Sequence, residues 1–387
     1  MRQLPNRIIV AALALGCCWN QSNAGEFPAR GFTGSNSAAV EPSTSGLRVE
    51  TIAPGIMLLW TPRHEAKVVV AEFATFLALI EAPFDDRTVR EILAELRVRF
   101  PSKPLRYVFH THPHDHSIHA VDPLLAAGAQ IVTSSANLPE LEKLTGDVSA
   151  LRSRVILVDD QFELADATNR LRVWLLKQGT GEKQWAVPTP EYMVFEFPAS
   201  GVLVSGCLYN KPKTYHEVVN SRKKTILRFI DSCTPGVTTL VPTNTSSGDG
   251  FEDVCTLQML RDSIEQGIKP DEVSKRFGAM TPEEMRAQSD AIAVEFKALT
   301  PRAYDLMVCA SQLNRDKHAE HALILLDIAI SLFPDDPSPR YQAGVRAWGL
   351  GLKDQAEARW AEAIERAKDD AEREDLRESA QEVRGGT

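Results

Sequence analysis

Short apolar runs alternate with amphipathic stretches along the first two thirds of the chain. Runs of strand length lie at residues 56–60, 68–73, 76–80, 105–109, 130–133, 155–158, 171–176, 192–197, 202–205 and 238–241. Stretches with helical spacing lie between them, at residues 88–100, 120–128, 138–144 and 221–233. Strands that alternate with single helices are typical of sheets covered by helices, so the pattern predicts an α/β fold.

From about residue 251 the periodicity is helical throughout. Residues 251–277 predict one long helix that closes the first domain, and residues 278–302 predict a charged helical connector. Residues 303–387 contain a spacing of 34, which pairs Ala322 with Ala356 and Leu326 with Trp360. This spacing resembles tetratricopeptide repeats, and a plain helical hairpin is the alternative. Two such repeats are rarely stable by themselves. We therefore expect these helices to pack on the first domain, on a protein partner or on a second copy of the chain.

The first residues are typical of an export signal. Arg2 and Arg7 precede an apolar run at residues 8–18 that is too short to span a bilayer, and small residues follow up to Ala24. We therefore expect a signal peptide at residues 1–24, a flexible leader at residues 25–46 and a periplasmic or secreted protein. A lipoprotein anchored at Cys17 is the weaker alternative. No later apolar run is long enough for a transmembrane segment.

Charge and cysteine spacing argue against only a few classes of function. The 387 residues carry a net charge of -9 and no basic stripe, which argues against nucleic acid as a partner. Beyond residue 24 the cysteines are Cys207, Cys233, Cys255 and Cys309, too widely spaced for a zinc knuckle. In an oxidising compartment they allow a disulfide, and buried thiols are the alternative.

The most informative stretch is a histidine cluster that follows the run at residues 105–109. Five of the nine histidines fall within ten residues, at His110, His112, His114, His116 and His119, with Asp115 among them. Imidazole and carboxylate are common zinc ligands, and a metal relieves the repulsion among clustered imidazoles. The cluster therefore predicts a metal site, with a solvated histidine loop as the alternative.

These residues resemble the metallo-β-lactamase-fold hydrolases over about residues 47–277. The resemblance rests on Pro54-Gly55, on Ile80-Glu81-Ala82-Pro83, and on the segment from Lys103-Pro104 to Thr111-His112-Pro113-His114. It implies a four-layer αββα sandwich with its metal ligands on loops at one edge of the two sheets. Asp115 is then a metal ligand or the proton acceptor. A small-molecule substrate is expected.

The chain departs from the family pattern at several ligand positions. By the resemblance, the third histidine falls at Pro188, the bridging aspartate at Cys207 and the last histidine at Asn244. One residue is also missing before Asp115, so we expect His116 and His119 on one face of the following helix, with His119 either a substitute ligand or a solvated residue.

A complete binuclear site is therefore not expected. His112, His114 and either His116 or Cys207, with His110 and His119 as possible additional ligands, still predict at most one zinc ion. Two functions remain open at this point: hydrolysis of a small ester, amide or thioester, and a non-catalytic scaffold that binds through its cleft and helical repeats.

Overall fold

A computed structural model describes residues 47–61, 66–83, 85–114, 116–179, 184–245 and 250–385. The expected signal peptide, the leader and Asp115 lie outside these ranges. The strands are β1 (Arg48–Ala53), β2 (Ile56–Thr61), β3 (Ala66–Glu72), β4 (Leu77–Ile80), β5 (Leu105–Phe109), β6 (Gln130–Thr133), β7 (Val155–Leu157), β8 (Gln161–Ala165), β9 (Arg170–Lys177), β10 (Glu191–Phe197), β11 (Val202–Val204), β12 (Thr239–Val241) and β13 (Cys255–Thr256).

The helices of the first part are α1 (Asp86–Arg99), α2 (Val121–Ala126), α3 (Leu138–Lys143), α4 (Val148–Arg154), α5 (Ser221–Cys233), α6 (Leu257–Gln266) and α7 (Pro270–Gly278). Those of the last part are α8 (Pro282–Ala287), α9 (Ser289–Leu299), α10 (Ala303–Arg315), α11 (Ala319–Leu332), α12 (Pro337–Gly349), α13 (Lys353–Glu365) and α14 (Asp370–Gly385). Among the described residues, none of these helices has the length and apolar composition needed to cross a bilayer.

Two sheets form the centre of the first part. The seven-stranded sheet has the order β1 to β7, antiparallel from β1 to β4 and parallel from β4 to β7. The six-stranded sheet has the order β13-β12-β11-β10-β9-β8, and only its β11–β12 pair is parallel. The parallel pairs matter for function, because their carboxyl ends meet at one edge of each sheet.

Three apolar cores separate four layers. Side chains such as Leu58 and Phe109 from one sheet meet Phe195 and Val204 of the other between the sheets. The opposite face of the first sheet packs on α1, α2 and α4, and that of the second packs on α5 and α6. Both faces of the central strands are therefore buried, which explains why they read as continuous apolar runs rather than alternating ones. The expected four-layer αββα sandwich is confirmed.

The last part is all helical and has its own core, which includes Phe277 and Phe296 and the indole of Trp360. The α10 helix contacts α7, and Asp305 of α10 accepts a hydrogen bond from the backbone N–H of Val218 at 3.2 Å. The helical part thus packs on the sandwich. Whether its helices are tetratricopeptide repeats stays a prediction.

Two sequence expectations were wrong in detail. Residues 251–277 do not form one helix, because β13, α6 and α7 follow one another there. A β-carbon at Gly267 would lie 2.5 Å from the carbonyl oxygens of Glu217 and Ser263, and Pro270 begins the next helix, so the chain must break between them. The second concerns His116 and His119, which precede α2 and so share no helix face.

Candidate metal centre

The candidate site lies where strands from both sheets end. The histidine loop follows β5, Glu81 follows the parallel neighbour β4, and Cys207 lies in a 3-10 turn (Gly206–Leu208) after β11. Two backbone hydrogen bonds join the sheets here, from Met193 N to the Thr111 carbonyl at 2.7 Å and from Lys67 N to the Thr243 carbonyl at 2.8 Å. The edge that carries these loops is thus held by both sheets.

Three potential metal donors converge at this edge. One ligand atom each from His112, His116 and Cys207 lies within 4.8 Å of the other two. Cys207 Sγ lies 3.7 Å from His112 Nε2. Two imidazole nitrogens and one sulfur form a donor set that zinc accepts, and three protein ligands leave a fourth position open, as in catalytic zinc sites. The residues present therefore fit one zinc ion.

The other predicted histidines are placed differently. His114 is exposed, with its ring centroid 4.4 Å from that of His112 and 5.6 Å from that of His116, but its nitrogens do not join the converging group. His110 is buried and its Nε2 lies 2.8 Å from the Thr133 hydroxyl. The His119 backbone N–H bonds to the carbonyl of Ala82. The structure thus brings together His112, His116 and Cys207 of the predicted residues.

Hydroxyl groups orient the His112 ring. The Thr111 hydroxyl lies 2.8 Å from His112 Nδ1, and the Ser117 hydroxyl lies 3.2 Å from the same nitrogen. The Thr111 hydroxyl also lies 2.8 Å from Glu81 Oε1, to which it donates. If Nδ1 donates to Thr111 in turn, the lone pair of His112 is on Nε2, the nitrogen that faces Cys207. In that tautomer, the chain of hydrogen bonds leaves Nε2 of His112 available to a metal.

Glu81 is fully buried behind that chain. Its φ is +73°, in the left-handed region that a glutamate rarely adopts, so the surrounding contacts must hold the backbone there. Besides Thr111, the Thr243 hydroxyl donates to the carboxyl group at 3.1 Å. Burial outweighs these hydrogen bonds and raises the pKa of Glu81 to about 8.

Burial also sets the charge state of the histidines. It holds the pKa of His112 well below its usual range, and the neighbouring His116 and His114 lower that pKa further. Burial likewise lowers the pKa of His110 to about 4. The two buried rings are therefore neutral at physiological pH, which is the form that binds metals.

Cys207 is positioned by a glycine and a tyrosine. Gly206 has a φ of +57°, and a β-carbon on it would lie 2.1 Å from Tyr192 Oη and 2.8 Å from Thr111 Cγ2. Only glycine fits there. Tyr192 donates to the Ser205 carbonyl at 3.0 Å and accepts from Cys207 N at 2.9 Å, while its ring stacks on His112. Burial raises the pKa of the Cys207 thiol, so without a metal it stays protonated.

The resemblance placed two further ligand positions at Asn244 and Pro188. Asn244 follows β12 and lines a cavity of about 380 Å³ together with Cys207. Its Oδ1 atom is buried without a hydrogen-bond partner among the described residues. Pro188 is half-buried in the loop before β10, where the neighbouring Val187 carbonyl accepts from Gln178 Nε2 at 3.0 Å. Neither residue brings a histidine nitrogen to the site.

No protein-family model matches the chain, and no curated protein matches its sequence. Among solved structures it is similar to a metallo-β-lactamase from Pontibacter korlensis, at 17% identity over 57% of this chain and 98% of the other, with a TM-score of 0.45. It is also similar to one from Hirschia baltica, at 13% identity over 57% and 96%, with a TM-score of 0.42.

A third similar structure is the metallo-β-lactamase FIM-1 from Pseudomonas aeruginosa in a mono-zinc form. It is 16% identical over 59% of this chain and 97% of the other, with a TM-score of 0.42.

Sequence reasoning missed the residues that support the donors. Glu81, Thr111 and Ser117 orient His112, Tyr192 holds Cys207, and Arg222 lines the same cavity as Cys207. Glu81 was visible as part of the I-E-A-P segment, but nothing in one sequence signals a left-handed glutamate. Arg222 belongs to a run of three basic residues that is otherwise typical of a solvated helix face.

Proposed function

We propose that this chain is an exported, mononuclear zinc hydrolase of a small ester, amide or thioester. One observation carries the proposal: His112, His116 and Cys207 converge to within 4.8 Å at the edge where both sheets end, beside an open cavity. It is costly to gather the buried, neutral ring of His112 with a second imidazole and a thiol unless an ion uses them. Export rests on the signal-like residues 1–24, which lie outside the described part of the chain.

Bound zinc would supply a water of lowered pKa and a Lewis acid for the scissile carbonyl. The residues of the chain do the rest. Thr111 and Ser117 hold Nδ1 of His112, so that the ring cannot turn away from the donor group. Glu81 anchors Thr111 and closes the hydrogen-bond chain inside the protein. Asp115, by the family resemblance, is the proton acceptor.

The proposal is limited to one ion. At the positions where the family carries a third and a last histidine, this chain has Pro188 and Asn244. Proline offers no side-chain donor and asparagine is a weak one for zinc. The three converging donors already account for one tetrahedral site, and nothing comparable remains among the described residues for a second.

Metal content tests the proposal directly. The chain from residue 25 onward should hold at most one zinc ion after dialysis against a weak chelator. Cys207→Ser and His116→Ala should weaken zinc binding at least tenfold, because each removes one of three ligands. His114→Ala is the matched control, since it removes a neighbouring exposed imidazole. Cobalt substitution adds a spectroscopic readout, because the sulfur-to-cobalt absorption must disappear in Cys207→Ser.

Two results would contradict this proposal. Two tightly held ions per chain would refute the single site. No metal, even after zinc is supplied, would favour the second candidate, a non-catalytic scaffold. The specific observation in its favour is the absence of strong donors at Pro188 and Asn244. In that case the cleft and the helical part would bind a ligand, a protein partner or a second copy of the chain.

A further inference from the structure

A cavity of about 590 Å³ lies between the sandwich and the helical part. The starts of α5 and α7 line one side of it, and α10 lines the other, together with Gln342 of α12. We call this space the α10 groove. None of the three converging metal donors is among its lining residues. What binds in the α10 groove therefore need not be a substrate of the metal centre.

One face of α10 forms the floor of the groove. Its lining residues recur at intervals of three or four and so share one side of the helix: Tyr304, Met307, Val308, Ser311, Gln312 and Arg315. None of these side chains is fully buried, whereas Leu306 and Leu313 on the other side lie in the core of the helical part. The face is about 16 Å long, because a helix rises about 1.5 Å per residue. An extended peptide covers that length with about five residues.

The groove is positively charged although the protein is acidic. Its described lining contains three cations, Arg222, Lys224 and Arg315, and one carboxylate, Asp271. Asp271 pairs with Lys224 at 3.3 Å, so its charge is already compensated by that lysine. The whole chain, in contrast, has a net charge of -9. The positive charge is therefore a local property of this surface.

Two arginines come together at one end of the groove. Arg315 is the last residue of α10, and Arg346 lies one turn beyond Gln342 on the same side of α12. Burial lowers the pKa of Arg346, and the nearby charge of Arg315 lowers it further. Among the described residues, neither guanidinium forms an ion pair with a carboxylate, and Arg315 bonds to the neutral side chain of Gln312. Two like charges thus face each other without an acid between them.

The acid that follows Arg315 in the chain is engaged elsewhere. The carboxylate of Asp316 accepts from the Ser274 hydroxyl at 2.6 Å and from the Gln312 side chain at 3.0 Å. These hydrogen bonds lower the pKa of Asp316, and the charge of Arg315 is a smaller cause of the same shift. A carboxylate that enters from outside would relieve the repulsion between the two arginines, because guanidinium groups bind carboxylates through paired hydrogen bonds.

We propose that the α10 groove binds an extended, acidic segment of a partner protein. Its carboxylates would contact Arg315 and Arg346, and its apolar side chains would lie on Met307 and Val308. The charge selects an anion, and the length of the floor selects a peptide, because a small free anion would leave most of α10 uncovered. This surface depends neither on zinc nor on hydrolysis.

Two peptides of matched shape test the proposal. One reads Glu-Glu-Leu-Leu-Leu-Glu-Glu, and the other carries glutamine in place of each glutamate. Both have a neutral dye at the amino end and an amide at the carboxyl end, so that recognition of a free chain end is excluded. Fluorescence polarisation with the full-length protein at low salt gives the two dissociation constants. General electrostatics would disfavour the acidic peptide, because the protein itself is acidic.

The acidic peptide should bind about 25-fold more tightly than the glutamine peptide, which corresponds to two solvent-screened charge contacts of about fivefold each. Arg315→Gln and Arg346→Gln should each lower this preference about fivefold. Replacing both arginines with glutamate should reverse it, in favour of a third peptide with lysine at the glutamate positions. Arg377→Gln is the matched control, because it removes the same charge from α14, where the guanidinium pairs with Glu374 at 3.1 Å outside the groove lining. It should leave the preference unchanged.

Three outcomes would overturn the inference. Equal affinities for the acidic and glutamine peptides, or no binding of either, would show that the groove does not select an acidic segment. A loss in Arg377→Gln as large as in Arg346→Gln would reduce the effect to net charge. Displacement of the peptide by inorganic phosphate, but not by chloride of equal ionic strength, would indicate a site for free anions. A metal-free protein that still prefers the acidic peptide would lose the proposed hydrolysis and keep this surface.

Discussion

Replacing Glu81 with glutamine should make the protein less sensitive to rising pH. The carboxyl group is fully buried, and its pKa is about 8 in the folded protein against an ordinary value of 4.5. The folded protein therefore keeps a proton that the unfolded chain releases above its ordinary pKa. Since the unfolded state binds fewer protons over this window, the free energy of unfolding falls as the pH rises from about 4.5 to about 8.

The size of the effect follows from the same two values. Each unit of pH between the two pKa values lowers the free energy of unfolding by about 1.4 kcal/mol. Through this group alone, the free energy of unfolding should fall by about 2.5 kcal/mol between about pH 5 and about pH 7. Glutamine cannot ionise and keeps an oxygen that accepts from Thr111 and Thr243. Glu81→Gln should therefore lose this component of the pH dependence.

Urea unfolding of both proteins, in chelator and over a pH series, checks the prediction. Subtracting the two curves removes the titration of all other groups, so the remaining slope belongs to Glu81. Infrared spectroscopy gives an independent check, because the band of a protonated carboxyl group should disappear near pH 8 in the natural protein and be absent from Glu81→Gln. Parallel pH profiles for the two proteins would refute the reasoning, and would mean that Glu81 is already ionised.

Two further predictions concern the helical part. A β-carbon at Gly344 would lie 2.5 Å from Nε1 of the buried Trp360, so Gly344→Ala should lower the free energy of unfolding by about 1 kcal/mol despite its better helix propensity. The control Gly349→Ala, on the same helix with nothing within 4 Å, should raise it by about 0.5 kcal/mol in the same urea titration. Deleting residues 303–387 should lower the melting temperature or the soluble yield, because it removes the contact between Asp305 and Val218. Deleting residues 370–387 is the control and should change both little, because only Ala380 of α14 is buried. Equal stability of both truncated proteins would show that the helical part does not support the sandwich.

The fold was largely predictable because burial on both faces of the central strands leaves continuous apolar runs in the sequence. The break within residues 251–277 was not predictable from the sequence. The apolar stripe continues through it, whereas the break is imposed by the backbone of Glu217, which lies against Gly267. Contacts between residues so far apart leave no periodic signal. The strand β8 and the helix α4 were overlooked for a different reason. Most of their side chains are exposed, so they carry little apolar pattern.

The site was predictable in its residue types but not in its geometry. The histidine cluster and Cys207 pointed to the right loops. Which histidine faces Cys207 depends on turns: Ile118 bridges to Ala82, and this closes the loop before α2 begins. His116 therefore reaches the donor group from a turn rather than from a helix. The orienting roles of Thr111 and Glu81 depend on pairing between β4 and β5, which spacing along the chain does not reveal.

The cavity of about 380 Å³ that Cys207 borders is lined both by α5 of the sandwich and by the start of α10 in the helical part. This arrangement has a consequence for how the protein matures. His112, His116 and Cys207 are all synthesised before Arg302 and Tyr304, which complete the wall from the helical part. Domains tend to fold in the order of their synthesis. On the proposed function, a nascent or proteolytically clipped chain can acquire its ion before its cavity is complete. Metal content would then report folding of the part that holds the donors, and substrate preference would report completion of the cavity. A chain with one zinc ion bound could therefore still have an incomplete cavity.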